Sequence, residues 1–218
     1  MRKPSVLCGL GFLSIFLLKS AVASAQLGQY TLSGGYSHIY TGSGSNLFYN
    51  KDGAYFDADF AWHVPYYHSP IMAGFGIAAS GYWDTQYVTV PFNFNGNAQL
   101  GTARLDSDLD DFEIEPRVAY ELWIPATPLF IKPRIGAGLM FNNYSIDQAF
   151  PRITYTYFST AYHTGAAFDI HPDVQFGAGW GPLAGGFDVS YLAAWGDFGG
   201  LGHIAQEIRL GAFIAFRF

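Results

Sequence analysis

From Ile208 to Phe218 every even position is apolar: Ile208, Leu210, Ala212, Ile214, Phe216 and Phe218. The odd positions of this stretch are mixed: Arg209, Gly211, Phe213, Ala215 and Arg217, preceded by Glu207. A period of two puts successive side chains on opposite faces and predicts a strand. One face stays apolar to the terminal residue, which is aromatic. Free ends of soluble domains tend to be polar and frayed. A strand whose outer face meets lipid needs an apolar band edged by aromatics.

The same period recurs along the chain. Over 29–41, Tyr30, Leu32, Tyr36, His38 and Tyr40 alternate with small residues. Over 53–64, Phe56, Ala58, Phe60 and Trp62 alternate with Asp57, Asp59 and His63. From Ile71 onward, Phe75, Ile77, Ala79 and Trp83 share one face, and alternation continues through Val88, Val90, Phe92 and Phe94. Asn95-Gly96 is then a strong hairpin signal, and the chain returns through the acidic run Asp106 to Asp111. Residues 85–111 are therefore expected to project as a hairpin beyond a bilayer. Over 112–124, Phe112, Ile114, Val118, Tyr120 and Leu122 oppose Glu113, Glu115, Arg117 and Glu121. Over 129–142, Ile131, Ile135, Leu139 and Phe141 oppose Lys132, Arg134 and glycines, and a loop is expected from 143 to about 156.

His171-Pro172-Asp173 has the composition of a turn, but its phase argues against one. Phe168, Ile170, Val174, Phe176 and Trp180 are all even, and Asp169, His171, Asp173 and Gln175 are all odd. A tight turn seldom preserves that parity, so a single strand over 158–180 is predicted. Pro116, Pro133 and Pro172 then lie mid-strand on outward faces, against the usual confinement of proline to edges and bulges. Bulges are one way to accommodate them. Phe187, Val189, Tyr191, Ala193 and Trp195 oppose Asp188 and Ser190 in a seventh strand, and the final stretch is the eighth. Eight alternating strands predict an all-β, antiparallel, up-and-down transmembrane barrel. Short Pro-rich turns alternate with longer polar loops, as expected for periplasmic turns and external loops.

Composition agrees. The chain is 18% aromatic and 13% charged over 218 residues, whereas soluble domains carry about 25% charged residues. Residues 1–25 read as a cleaved export signal: Arg2 and Lys3, an apolar run from Val6 to Leu18, then Ala23-Ser24-Ala25 before Gln26. The mature domain is then 26–218. The single cysteine, Cys8, leaves with the signal, so no disulfide framework holds the mature chain. Three of 11 basic residues leave as well, so eight remain against 17 acidic ones, a net of −9. That balance argues against nucleic acid as a partner. No apolar run of the mature chain reaches the about 18 residues of a helical span, so a membrane would have to be crossed by a closed barrel.

Two local features carry a resemblance. The stretch Phe130-Ile131-Lys132-Pro133-Arg134-Ile135-Gly136-Ala137-Gly138 is similar to an xPxxGAG strand common in small Gram-negative outer-membrane barrels. The alternating tail with Phe216 and terminal Phe218 is similar to the signal read by the barrel-assembly machinery. The mature chain thus resembles the group that contains the OmpA transmembrane domain, OmpW and OmpX. The resemblance implies residence in the outer membrane, contact with its lipid and lipopolysaccharide, and engagement by the assembly machinery. It supports no peptidoglycan-binding role, since the sequence gives no sign of an added domain for that purpose.

The inward polar set is Asp57, Asp59, His63, Glu113, Glu115, Arg117, Glu121, Lys132, Arg134, Asp169, His171, Asp173, Asp188, Glu207 and Arg209. An eight-stranded interior is only wide enough to be filled by side chains or to hold one small ligand. A lumen network of ion pairs is expected, and no catalytic residue or cofactor is assigned. Asp106, Asp108 and Asp110 have carboxylates suited to Ca²⁺, but lack the glycine and glutamate of an EF-hand loop. They read as a solvated acidic loop, with divalent ions bridging lipopolysaccharide as the alternative. Three functions follow. One is a structural barrel or narrow passage, including an OmpW-like route for a small apolar molecule leaving sideways into lipid. Another is binding of an external ligand or host surface protein through the hairpin. A remote third is modification of lipid A; Ser37-His38 and His163-Thr164 come nearest to the His-x-Ser pair it would need, and neither matches.

Overall fold

The computed structural model describes residues 28–40, 52–64, 69–94, 97–151, 156–196 and 204–218. The export signal, the 42–46 loop, the residues at 65–68, the Asn95-Gly96 turn and the 197–202 loop lie outside them. Eight strands run in chain order: β1 (Gly28–Ile39), β2 (Asp52–His63), β3 (Ile71–Phe94), β4 (Asn97–Tyr120, resuming as Leu122–Trp123), β5 (Leu129–Pro151), β6 (Thr156–Trp180), β7 (Leu183–Gly196) and β8 (Ile204–Arg217). Each pairs antiparallel with its sequence neighbours. β8 closes the barrel on β1, from Gln29↔Arg217 to Ile39↔Glu207. Gly28 and Phe218 exchange two backbone hydrogen bonds at 3.0 and 3.1 Å, so the terminal residue completes the seam.

The stretch from Phe168 to Trp180 is one strand, as its phase requires. The mid-strand prolines do not mark bulges. β4 and β5 pair at Ile114↔Leu139 and again at Arg117↔Gly136, with the register unchanged across Pro116. β6 and β7 pair at Ile170↔Ala193 and again at Asp173↔Ser190, unchanged across Pro172. Proline lacks the amide hydrogen a ladder needs. Here each opens a gap toward one neighbour while the other ladder continues, as in Pro133↔Val174. The interruption of β4 at Glu121 falls beside Pro133 on the facing strand.

The expected loop from 143 to 156 is corrected: β5 continues to Pro151, paired with β4 as far as Arg104↔Ala149 and with β6 to Pro151↔Thr156. The segment Asn142-Asn143-Tyr144-Ser145 loses the apolar outward face, so it does not read as a membrane strand. Above a bilayer that face meets water and no longer needs to be apolar. Among the described residues the strand lengths are consequently uneven. Strands β3 to β6 have 23 to 25 residues, and β1, β2, β7 and β8 have 12 to 14.

Polarity is inverted around the shared lower part. Ile214 is 67% exposed, Leu139 53% and Val118 52%, while Glu113 and Arg209 are 0% exposed. Exposed aromatics ring both ends, with Trp123 and Trp180 near the short turns and Trp83 and Trp195 near the long loops. Ala193 departs from the expected outward set, being 8% exposed.

Candidate functional site

The lumen is built by the odd positions of β1, β2, β4, β6 and β8 and the even positions of β3, β5 and β7. Three arginines organise it in layers. Arg134 donates from Nε to both oxygens of Asp173 at 2.8 Å and from Nη1 to Asp59 Oδ2 at 3.2 Å. Arg117 donates from Nη1 to both oxygens of Asp57 at 2.8 and 2.6 Å, and from Nε to Glu115 Oε2 at 3.1 Å. Arg209 donates to both oxygens of Glu113, and to both oxygens of Glu207 at 2.6 and 3.1 Å. Paired, bidentate contacts of this kind are what make a buried charge tolerable.

The remaining expected residues fall around these layers. Lys132, Asp169, His171 and Asp188 are buried in the lumen. Asp188 accepts a hydrogen bond from Tyr55, and His171 Nδ1 lies 3.0 Å from Glu115 Oε1. Glu121 belongs to the turn-side mouth, where it accepts from Arg217 at 2.7 Å and from the Trp123 indole at 3.0 Å. His63 is at the same rim, half-buried against the carbonyl of Ser69. This mouth opens a vestibule of about 750 Å³ lined in part by His63, Glu121, Trp123 and Arg217.

Two glycines of the 130–138 motif make the upper network sterically feasible. Gly136 and Gly138 face inward from β5, between β4 and β6. A methyl group at Gly136 would overlap the Glu115 carboxylate, and one at Gly138 would meet the β4 backbone. The bare backbone of β5 therefore leaves a notch. Glu115 of β4 leans through it to His171 of β6, which is paired with Gly136.

Both ends of the network are capped by apolar side chains. Toward the loops, Ile39, Tyr82, Leu109, Met140, Tyr144 and Leu192 cluster inside the barrel. Toward the turns, Phe130 packs with Phe213, Ala184 and Ala215, and the Arg217 guanidinium lies 4.6 Å from the Trp123 ring centre and 4.9 Å from that of Phe130. The layers between are filled, with Lys132, Glu115 and Gln175 also out of water's reach.

Residues outside the expected set join the network, namely Tyr55, Ser80 and Arg217, and Asp111 is buried on the lumen side. Their signal was parity. Tyr55 shares the phase of Asp57, and Asp111 that of Glu113, but an aromatic or an acidic-run residue does not announce a lumen position by type.

The outer features stay apart from the lumen. Asp106, Asp108 and Asp110 alternate along one face of β4 and point away from the inward residues Ser107, Leu109 and Asp111. Asp106 accepts from Thr85 at 2.7 Å and Arg104 at 2.9 Å. Spaced two residues apart, their carboxylates stand along the strand instead of converging. Among the described residues, convergent metal-ligand atoms occur at Glu113, Glu115 and His171, all within 4.8 Å of one another. Ser37 is buried inside while His38 lies on the outer face against Asp52 at 2.7 Å, so neighbours in sequence occupy opposite sides of the wall.

A closed antiparallel barrel, an apolar outer band with aromatic girdles, and a charged interior define the class: an integral transmembrane β-barrel protein. No protein-family model and no curated protein matches the chain. Solved structures similar to it include Neisserial surface protein A, with a TM-score of 0.45 and 14% identity over 88% of this chain and 97% of that one. Ail, the attachment invasion locus protein of Yersinia pestis, solved in complex with the heparin analogue sucrose octasulfate, gives 0.44 and 14% over 87% and 99%. A major outer membrane protein from Thermus thermophilus gives 0.49 and 10% over 89% and 100%.

Proposed function

We propose that this protein is a structural outer-membrane barrel that displays a binding sheet above the membrane, and that it conducts little through its lumen. The asymmetry of the wall carries this reading. Among the described residues β2 pairs with β3 as far as Gly53↔Tyr82, and β3 continues to Phe94. Among the described residues β7 pairs with β6 as far as Ala167↔Gly196, and β6 begins at Thr156. The four tall strands thus rise as a sheet of about 40 Å, at about 3.3 Å per residue. Its outward face carries exposed side chains, among them Tyr87, Leu100 and Tyr162. Surfaces and loops held out by a rigid scaffold are where binding residues concentrate. The outward carboxylates of Asp106, Asp108, Asp110 and Asp147 favour a partner with a basic face. Phe216 and Phe218 serve the assembly machinery, the export signal is removed after Ala25, and no catalytic step is assigned.

Removing residues 87–108 tests the display. Loss of adhesion to cells or host surface proteins, with heat-modifiable gel migration intact, supports it; unchanged adhesion ends it. Planar-bilayer recording tests the lumen. Steady single-channel conductance from the intact protein would replace the closed reading with a narrow passage.

A further inference from the structure

Three lumen arginines serve six carboxylates: Arg117 holds Asp57 and Glu115, Arg134 holds Asp59 and Asp173, and Arg209 holds Glu113 and Glu207. The layer at Glu113 and Glu115 carries a further carboxylate. Asp169 is 0% exposed, and no side chain among the described residues donates a hydrogen bond to either of its oxygens, which leaves the Gly138 backbone beside it as the donor. It is paired with Gly138, on the side of β5 opposite Glu115, and lies within Coulombic range of Glu115, Glu113 and His171. A buried carboxylate without a paired cation is expensive, and the usual remedies are a proton or a cation.

The geometry favours a cation. His171 Nδ1 lies 3.0 Å from Glu115 Oε1 and 3.8 Å from Glu113 Oε2. A tetrahedral ion with bonds of about 2.0–2.2 Å holds its donors about 3.3–3.6 Å apart, between those two values. Arg117 grips the other oxygen of Glu115, and Arg209 fixes Glu113. Such outer contacts orient ligating carboxylates. One imidazole nitrogen with carboxylates suits zinc, manganese or cobalt; calcium prefers six to eight oxygens.

We propose that Glu113, Glu115 and His171 form a lumen site for a divalent transition-metal ion beside Asp169, with the notch at Gly136 and Gly138 bringing ligands from β4 and β6 together across β5. The ion neutralises the excess carboxylates and ties β4 to β6 behind the strand between them.

The test uses the full barrel in detergent, stripped with chelator and titrated with Co²⁺, both after folding and during refolding, since the ligands are buried. One Co²⁺ per chain is expected, with visible d–d absorption displaced by Zn²⁺. His171→Gln and Glu115→Gln should each weaken binding at least tenfold. Gly136→Ala keeps every donor but displaces the Glu115 carboxylate, and should weaken binding comparably. Heat-modifiable migration identifies the variants that have folded. A folded wild-type barrel that takes up no stoichiometric Co²⁺ by either route overturns the site, and leaves His171 as a hydrogen-bond partner of Glu115 alone. Undiminished binding in folded His171→Gln and Glu115→Gln barrels overturns it equally. If the variants do not fold, the wild-type titration decides alone.

Discussion

Arg117 of β4 binds both oxygens of Asp57 at 2.8 and 2.6 Å, although 60 positions separate them in sequence. Between them stands β3, whose Gly76 leaves room for the guanidinium; a methyl group there would overlap it. The pair therefore staples β2 to β4 across an intervening strand.

Breaking that staple from one side leaves a buried cation without its main partner. Asp57→Ala should lower stability by about 3–5 kcal/mol. Replacing both residues by apolar ones of similar volume should cost much less. Urea unfolding in lipid vesicles compares them, and equal losses would show that Arg117 is adequately held by Glu115.

The exposed position of Leu139 separates a lipid-facing wall from a water-facing one. Leu139→Arg should destabilise the barrel by about 2–4 kcal/mol in a bilayer if the position is near the midplane. The same exchange on a water-facing strand would be close to neutral. Refolding yields and unfolding midpoints in vesicles report which solvent Leu139 meets.

Phe218 closes the seam with its backbone and packs its ring 5.1 Å from Tyr30 and 6.3 Å from Phe60, between ring centres. Deleting Phe218 removes these contacts, each aromatic pair being worth about 0.5–1.5 kcal/mol. We expect slower assembly and a smaller heat-modifiable fraction in isolated outer membranes. Phe218→Tyr should restore both. Wild-type behaviour of the deletion would remove the terminal residue from the assembly signal.

The projecting sheet should respond to pH. Partial burial, then the charges of Asp110, Asp147 and Asp106, raise the pKa of the Asp108 carboxyl. A raised folded-state value means that the neutral acid suits the fold better. Its contribution is complete below the ordinary carboxylate value of about 4 and fades as pH climbs through the raised one. Amide exchange over 83–111, corrected for the intrinsic rate, should show stronger protection at about pH 4 than at about pH 7. Asp108→Asn should flatten the difference, and a flat wild-type profile would contradict it.

What the sequence determined by itself is the inside and the outside. A period of two is a local property, so Phe187 against Asp188, or Ile208 against Arg209, assigns faces without knowledge of any partner. Strand number followed from the same parity, which carried through His171-Pro172-Asp173. The long-range decisions needed the tertiary structure. Arg117 meets Asp57, and Glu115 meets His171, because interstrand register places them at one height and because Gly76 and Gly136 are bare there. The height of β5 was likewise hidden, since above the membrane its outer face no longer has to be apolar. Closure at both mouths by Tyr82, Leu109 and Phe213 depends on side chains converging from opposite walls. Parity along one strand holds no information about that distance.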